Sequence, residues 1–231
     1  ADNNTAVGFC SLAANTTGHD NAAFGKDALI KNTTGCMNTA LGRGALSCNT
    51  TAIANTAVGY NSLFSNTTGT NNTAIGCVSL DRNTTGDNNT ALGRSSLNCN
   101  TTADNNTAAG YLSLFKNTEG ASNSAFGVQA LACNTTGAEN TALGRFSLSS
   151  NTTASNNSAV GYASLLSNTT GTYNSAFGRS SLQTNVTGNR NTGIGYTALT
   201  TNTASDNTAI GYQTLTANTT GANNTAVGTN S

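Results

Sequence analysis

The side chains that could do chemistry are few and scattered. The 231 residues hold one histidine, nine acidic and nine basic residues, and six cysteines. His19 has no second histidine with which to share a metal. Carboxylates such as Asp27, Asp81, Glu119 and Asp206 fall in no common register, so no acid–base pair is held ready. Serines are numerous but stand beside no general base, and no glycine-rich loop leads into a phosphate-binding helix. Neither catalysis, a metal nor a cofactor is expected. The cysteines (Cys10, Cys36, Cys48, Cys77, Cys99 and Cys133) are even in number and lack the paired spacing of a zinc site. They fit either disulfides in an oxidising compartment or small apolar side chains. The residue that does recur is threonine. Thr16, Thr33, Thr50, Thr67, Thr84, Thr101, Thr118, Thr135, Thr152, Thr169, Thr203 and Thr219 form one series, broken only by Val186. Stacked and stiff at χ1, such residues would set methyl and hydroxyl groups in a fixed rank. That is an arrangement for ordering water rather than for making bonds.

The rank exists because the chain repeats. From Asn4 the pattern Asn-Thr-Ala-φ-Gly-x-x-Ser/Ala-Leu-x-x-Asn-Thr-Thr-Gly/Ala-x-x returns at each seventeenth position, where φ is Val, Ile, Leu, Phe or once Ala; one residue is deleted near Ala204. Numbering these positions as slots 1 to 17, slot 1 is always Asn, slot 5 always Gly, slot 9 always Leu and slot 12 always Asn. A period of this length over nearly the whole chain predicts an all-β protein. Residues 1–231 would form one parallel β-solenoid domain of about 13 coils, in which each coil buries its apolar side only against its neighbours. Thr-Ala-φ reads as a short strand, and the glycine of slot 5 as the bend that follows it. The alanine of slot 3, the φ residue of slot 4 and the leucine of slot 9 are expected to form the core. The two Asn columns are expected to stack as amide ladders. Asn-x-Thr matches at Asn15, Asn32 and Asn49 follow from the repeat itself and need no glycan to explain them.

A longer rhythm overlies the first. Arg43, Arg94 and Arg145 occupy slot 6 of every third repeat, and Tyr60, Tyr111 and Tyr162 follow in the next coils. If three repeats made one turn, the arginines would stack about 4.8 Å apart and repel. Single 17-residue coils interleave Arg with Tyr and are the expected geometry, with the 51-residue interval as a three-coil superperiod.

Charge narrows the partners. The formal net charge is zero and only 8% of residues are charged, so there is no basic face for nucleic acid. No apolar run is long enough to span a bilayer. The short coils, threonine ranks and sparse charge resemble the secreted β-solenoid ice-binding (antifreeze) proteins. That resemblance implies an extracellular, non-enzymatic protein whose flat threonine array, the slot-13 series above, adsorbs to ice. The text Asn-Thr-Ala-Val-Gly-Tyr with Ser-Leu-x-x-Asn-Thr-Thr-Gly also resembles shaft repeats of phage tail fibres and bacterial adhesins. That second resemblance implies self-association into a trimeric or head-to-tail fibre.

Overall fold

The structure, a computed structural model, describes residues 2–231. Fourteen strands of three residues each, β1 (Thr5–Val7) to β14 (Thr225–Val227), fall on slots 2 to 4 of successive repeats. The chain divides into two compact units, Ala1–Glu119 and Gly120–Ser231. In the first, each strand from β1 to β7 (Thr107–Ala109) pairs in parallel with the next, residue i opposite i+17. In the second, β8 (Ser124–Phe126) to β14 do the same, and the pairing shortens to i+16 where Thr192 meets Thr208. The expected parallel β-solenoid with 17-residue coils is therefore what the chain forms. The three-coil rhythm is a pattern laid over single coils, so Cys48 does not lie beside Cys99.

The strand ends at glycine because nothing else fits. Gly59 has φ +133°, and a Cβ there would lie 2.5 Å from the carbonyl oxygen of Gly76 in the next coil. The chain then winds through slots 6 to 11. Here slots 7 and 9 adopt positive φ, as at Val78 (50°) and Leu80 (50°). This conformation is costly for leucine, but it turns the amides along the stack. Val78 N donates back to Tyr60 O at 2.9 Å, while Leu80 N and Arg82 N donate onward to Ser96 O and Asn98 O at 3.0 and 3.1 Å. Each coil thus discharges its backbone polar groups on its neighbours, as a buried backbone must.

The interior is half apolar and half amide. Ala57, Leu63, Ala74, Leu80, Ala91 and Leu97 are fully buried, and so are Asn55, Asn66, Asn72 and Asn83. Both ladders form. In the slot-12 column, Asn83 Nδ2 donates to Asn66 Oδ1 at 2.9 Å and Asn100 Nδ2 to Asn83 Oδ1 at 2.9 Å. In the slot-1 column, the backbone amide of Asn89 donates to Asn72 Oδ1 at 2.9 Å. The columns meet at slot 15, where Gly86 O accepts from Asn72 Nδ2 at 2.8 Å and Asn83 Nδ2 at 2.9 Å. Buried and doubly bonded, Asn32 and Asn49 cannot carry a glycan. All six cysteines are free thiols, half-buried except for the exposed Cys77.

One expectation is overturned. The φ residues of slot 4 do not join the core. Residues adjacent in a strand point to opposite faces, so burying the alanine of slot 3 turns slot 4 outward. Leu41 is 50% exposed and Leu143 48%. The leucine of slot 9 fills the interior alone, with slots 3 and 8 as small partners.

Candidate functional site: the outer sheet face and the threonine corner

Two surfaces carry the regular side chains. The first is the outer face of the strands, where slots 2 and 4 stand side by side. Slot 4 reads Val, Phe, Leu, Val, Ile, Leu, Ala in the first unit and Phe, Leu, Val, Phe, Ile, Ile, Val in the second, with no polar residue in fourteen copies. Phe24, Leu41, Ile75 and Leu92 are exposed in the first unit, and Phe126, Leu143, Phe177, Ile194 and Ile210 in the second. Strands repeating at about 4.8 Å make this a closely ribbed apolar strip. The threonines and serines of slot 2 border it, mostly half-buried.

Slot 6 borders the strip on its other side. The Arg43 guanidinium lies over the Tyr60 ring at 5.9 Å, Arg94 over Tyr111 at 5.9 Å, and Arg179 between Tyr162 and Tyr196 at 5.6 and 5.8 Å. Tyr196 and Tyr212 stack at 5.3 Å. The three-coil rhythm therefore builds cation–π pairs, each worth about 0.5–1 kcal/mol at an exposed site, in place of a column of repelling arginines. It also levels the surface. The coils of Tyr60, Tyr111 and Tyr162 carry the smaller Val58, Ala109 and Val160 at slot 4, and these are half-buried, whereas those of Tyr196 and Tyr212 carry the exposed Ile194 and Ile210.

The second surface is the Asn-Thr-Thr-Gly corner. Most of the slot-13 threonines are half-buried; Thr16, Thr203 and Thr219 are exposed. Their hydroxyls are directed along the backbone. Thr33, Thr67, Thr84 and Thr135 donate through Oγ1 to the slot-13 carbonyl of the next coil at 3.0 Å, and Thr50, Thr101, Thr152 and Thr169 at 3.2 Å. That carbonyl also collects three amides. Thr84 O accepts from Thr67 N, Thr68 N and Gly69 N at 3.0, 3.2 and 3.4 Å. The outward rank at this corner is slot 14, where Thr17, Thr34, Thr51, Thr68, Thr85 and Thr102 are all exposed. Glu119 ends that rank within the first unit.

Titratable groups are dispersed. Burial raises the Asp81 carboxyl above its ordinary value, partly offset by the Arg82 charge. Hydrogen bonds from Arg190 hold Asp206 below its ordinary value, and the bond to His19, followed by that to Asn3, does the same for Asp20. Among the described residues no group of three or more His, Cys, Asp or Glu side chains is arranged to hold a metal ion. Among the described residues no helix is long and apolar enough to cross a membrane. No protein-family model, curated protein or solved structure matches the chain.

Proposed function

We propose that the protein is a non-enzymatic structural fibre subunit, working outside the cell, whose copies associate side by side through the slot-2 and slot-4 face. The observation that carries this reading is the outward slot-4 column, apolar in every repeat of both units. Isolated apolar side chains on a surface are ordinary, whereas a contiguous apolar strip marks an interaction surface. A second copy suits it best. Only another chain of the same repeat length matches its ribs strand for strand, so ridges and grooves interdigitate along the whole contact. Seven strands at ~4.8 Å by three residues at ~3.3 Å give a footprint near ~330 Å² per unit. Each unit's strip alone is smaller than a standard interface of about 800 Å² per partner and matches the size class of weaker, reversible contacts. The likeness of the repeat text to fibre and adhesin shafts points the same way.

The test is sedimentation velocity of the wild-type chain and of an Ile75→Glu, Leu92→Glu double variant. The wild type should sediment as an oligomer, and the variant as a monomer with an unchanged circular-dichroism melting curve. A wild type that remains monomeric at high micromolar concentration would refute the reading.

A second reading, adsorption to ice, draws on the slot-14 rank: six consecutive exposed threonines without a charge, at ~4.8 Å spacing. It moves the ice-facing hydroxyls from slot 13, where they serve the backbone, to slot 14. A seed crystal held just below its melting point in dilute protein should then facet, and Thr68→Lys with Thr85→Lys should abolish faceting. Rounded growth in wild-type solution removes this reading.

A further inference from the structure

A repeat this regular makes its exceptions informative, and one lies in the first unit. Slot 7 of the third coil is Gly44 and slot 10 is Ser47, both small, between coils that carry Asp27 with Ile30 and Asn61 with Phe64 at the same slots. The result is a cleft of about 430 Å³. Its walls are Tyr60, Phe64 and Ile30, and its polar rim is formed by Asp27, Lys31, Arg43 and Asn61. Gly44 keeps the floor open: at φ +70°, a Cβ there would run into Asn61 Oδ1.

The three-coil rhythm supplies two internal controls. Three coils on, the corresponding stretch carries Ser95 and Asn98, and Asn98 Nδ2 lies across it to donate to Val78 O at 2.9 Å. After another such interval, Phe146 occupies the place of Gly44. Its ring meets Tyr162 edge-on at 6.1 Å, and Arg145 lies over it at 4.5 Å. Arginine and the following tyrosine recur in all three places, but only the first pairs Gly at slot 7 with Ser at slot 10. A hollow made by two small residues where duplicated neighbours are filled is a built feature of that coil.

Its chemistry defines an occupant. Among the described residues no ion pair ties Asp27 to Lys31 or Arg43, which leaves a cationic excess of one; Lys31 Nζ lies 3.7 Å from Cys48 Sγ, a weak acceptor. Arg43 is steadied by the Tyr60 ring at 5.9 Å and presents a planar fork. Asp27, Ser47 and Asn61 line the cleft with hydrogen-bond acceptors and donors, and Phe64 with an aromatic ring. Binding sites characteristically combine a mainly apolar wall with a few convergent polar groups. We infer that this cleft binds one carboxylated sugar residue. Its carboxylate would face Arg43 and Lys31, its hydroxyls Asp27 and Asn61, and its ring face Phe64. This goes beyond side-by-side assembly, because the cleft is lined by slots 6, 7, 10 and 11 and by none of the slot-2 or slot-4 residues of the apolar strip.

Saturation-transfer NMR titrations with sodium glucuronate, glucose and inorganic phosphate provide the test. Glucuronate should bind, glucose and phosphate at least tenfold more weakly. A glucuronate-terminated oligosaccharide separates the two sources of this chemistry: equal affinity indicates recognition of the residue itself, and tighter binding indicates a chain-borne terminus. Arg43→Gln should lose at least tenfold. Ser47→Phe, which places at slot 10 the residue already tolerated at Phe64 and Phe115, should abolish transfer. Arg94→Gln, the matched change at a filled position, should bind as the wild type does. Equal binding of glucose or phosphate, unchanged binding by Ser47→Phe, or an equal loss in Arg94→Gln would each overturn the assignment.

Discussion

The strand face and the Asn-Thr-Thr-Gly corner are built from the same small vocabulary, yet they dispose of their side chains in opposite ways. At the corner, the amides of Asn72 and Asn83, the hydroxyl of Thr67 and three backbone amides all end on acceptors within the stack. On the strand face, Leu41, Ile75 and Leu92 leave between 39% and 50% of their surface exposed. Strict identity in the repeat thus marks architecture. Residues kept only by class, apolar but ranging from Ala to Phe, mark the surface left over for something else.

That contrast can be broken first at the hinge between the two. Gly59→Val places a Cβ against Gly76 O at a φ that valine cannot adopt. It should cost more than about 4 kcal/mol, read as loss of the cooperative melting transition or as an insoluble chain. Next is the corner interior. Asn83→Leu removes the donor to Asn66 Oδ1 and the acceptor for Asn100 Nδ2. With roughly 1–3 kcal/mol for each orphaned buried group, a loss of about 2–5 kcal/mol should appear in urea unfolding.

A smaller effect is expected from Thr84→Val. Its hydroxyl donates to Thr101 O, which already accepts from Thr84 N and Thr85 N. Valine already fills this slot at Val186, where Thr169 still donates to its carbonyl. The same denaturation assay should register under about 1 kcal/mol; a larger loss would mean that the corner hydroxyls carry the stack. Smallest is Asp81→Asn. Burial raises the folded-state pKa of Asp81, so the folded chain holds this proton to higher pH than the unfolded chain. Stability is therefore lost as pH rises from the ordinary value of 3.8 through the raised one. Asp81→Asn should melt higher than the wild type at pH 7, and the advantage should vanish below about pH 4. An advantage independent of pH would exclude ionisation as its cause.

The sequence disclosed the period, the parallel stacking, the asparagine ladders and the leucine core, because each of these needs one residue type in one slot. It did not disclose which way slot 4 faces. Alanine at slot 3 and φ at slot 4 are both apolar, and apolarity alone says nothing about side. The available signal was size: slot 3 never exceeds Ala, as a tight interior demands, whereas slot 4 accepts Val and Phe alike. The hydroxyls of slot 13 were equally opaque, since a threonine reads the same whether it serves water or the backbone. Only Val186, tolerated in that series, hinted that the outward rank lay one residue further on. The hollow at Gly44 could be found as a gap in two columns, but its filled counterparts at Asn98 and Phe146 required side-chain positions.

The leucines carry one more implication. From Leu29 to Leu199, each slot-9 leucine sits near φ +50°, a posture that costs about 1–2 kcal/mol, while its burial returns roughly 1.5–3 kcal/mol. A solitary turn of the spiral would gain almost nothing by closing. Growth becomes downhill only once a neighbouring turn supplies amide, carbonyl and methyl partners on the exposed rim. The molecule must therefore assemble like a zipper with a reluctant first tooth, and fragments of one or two turns should stay unwound in water however faithfully they copy the repeat.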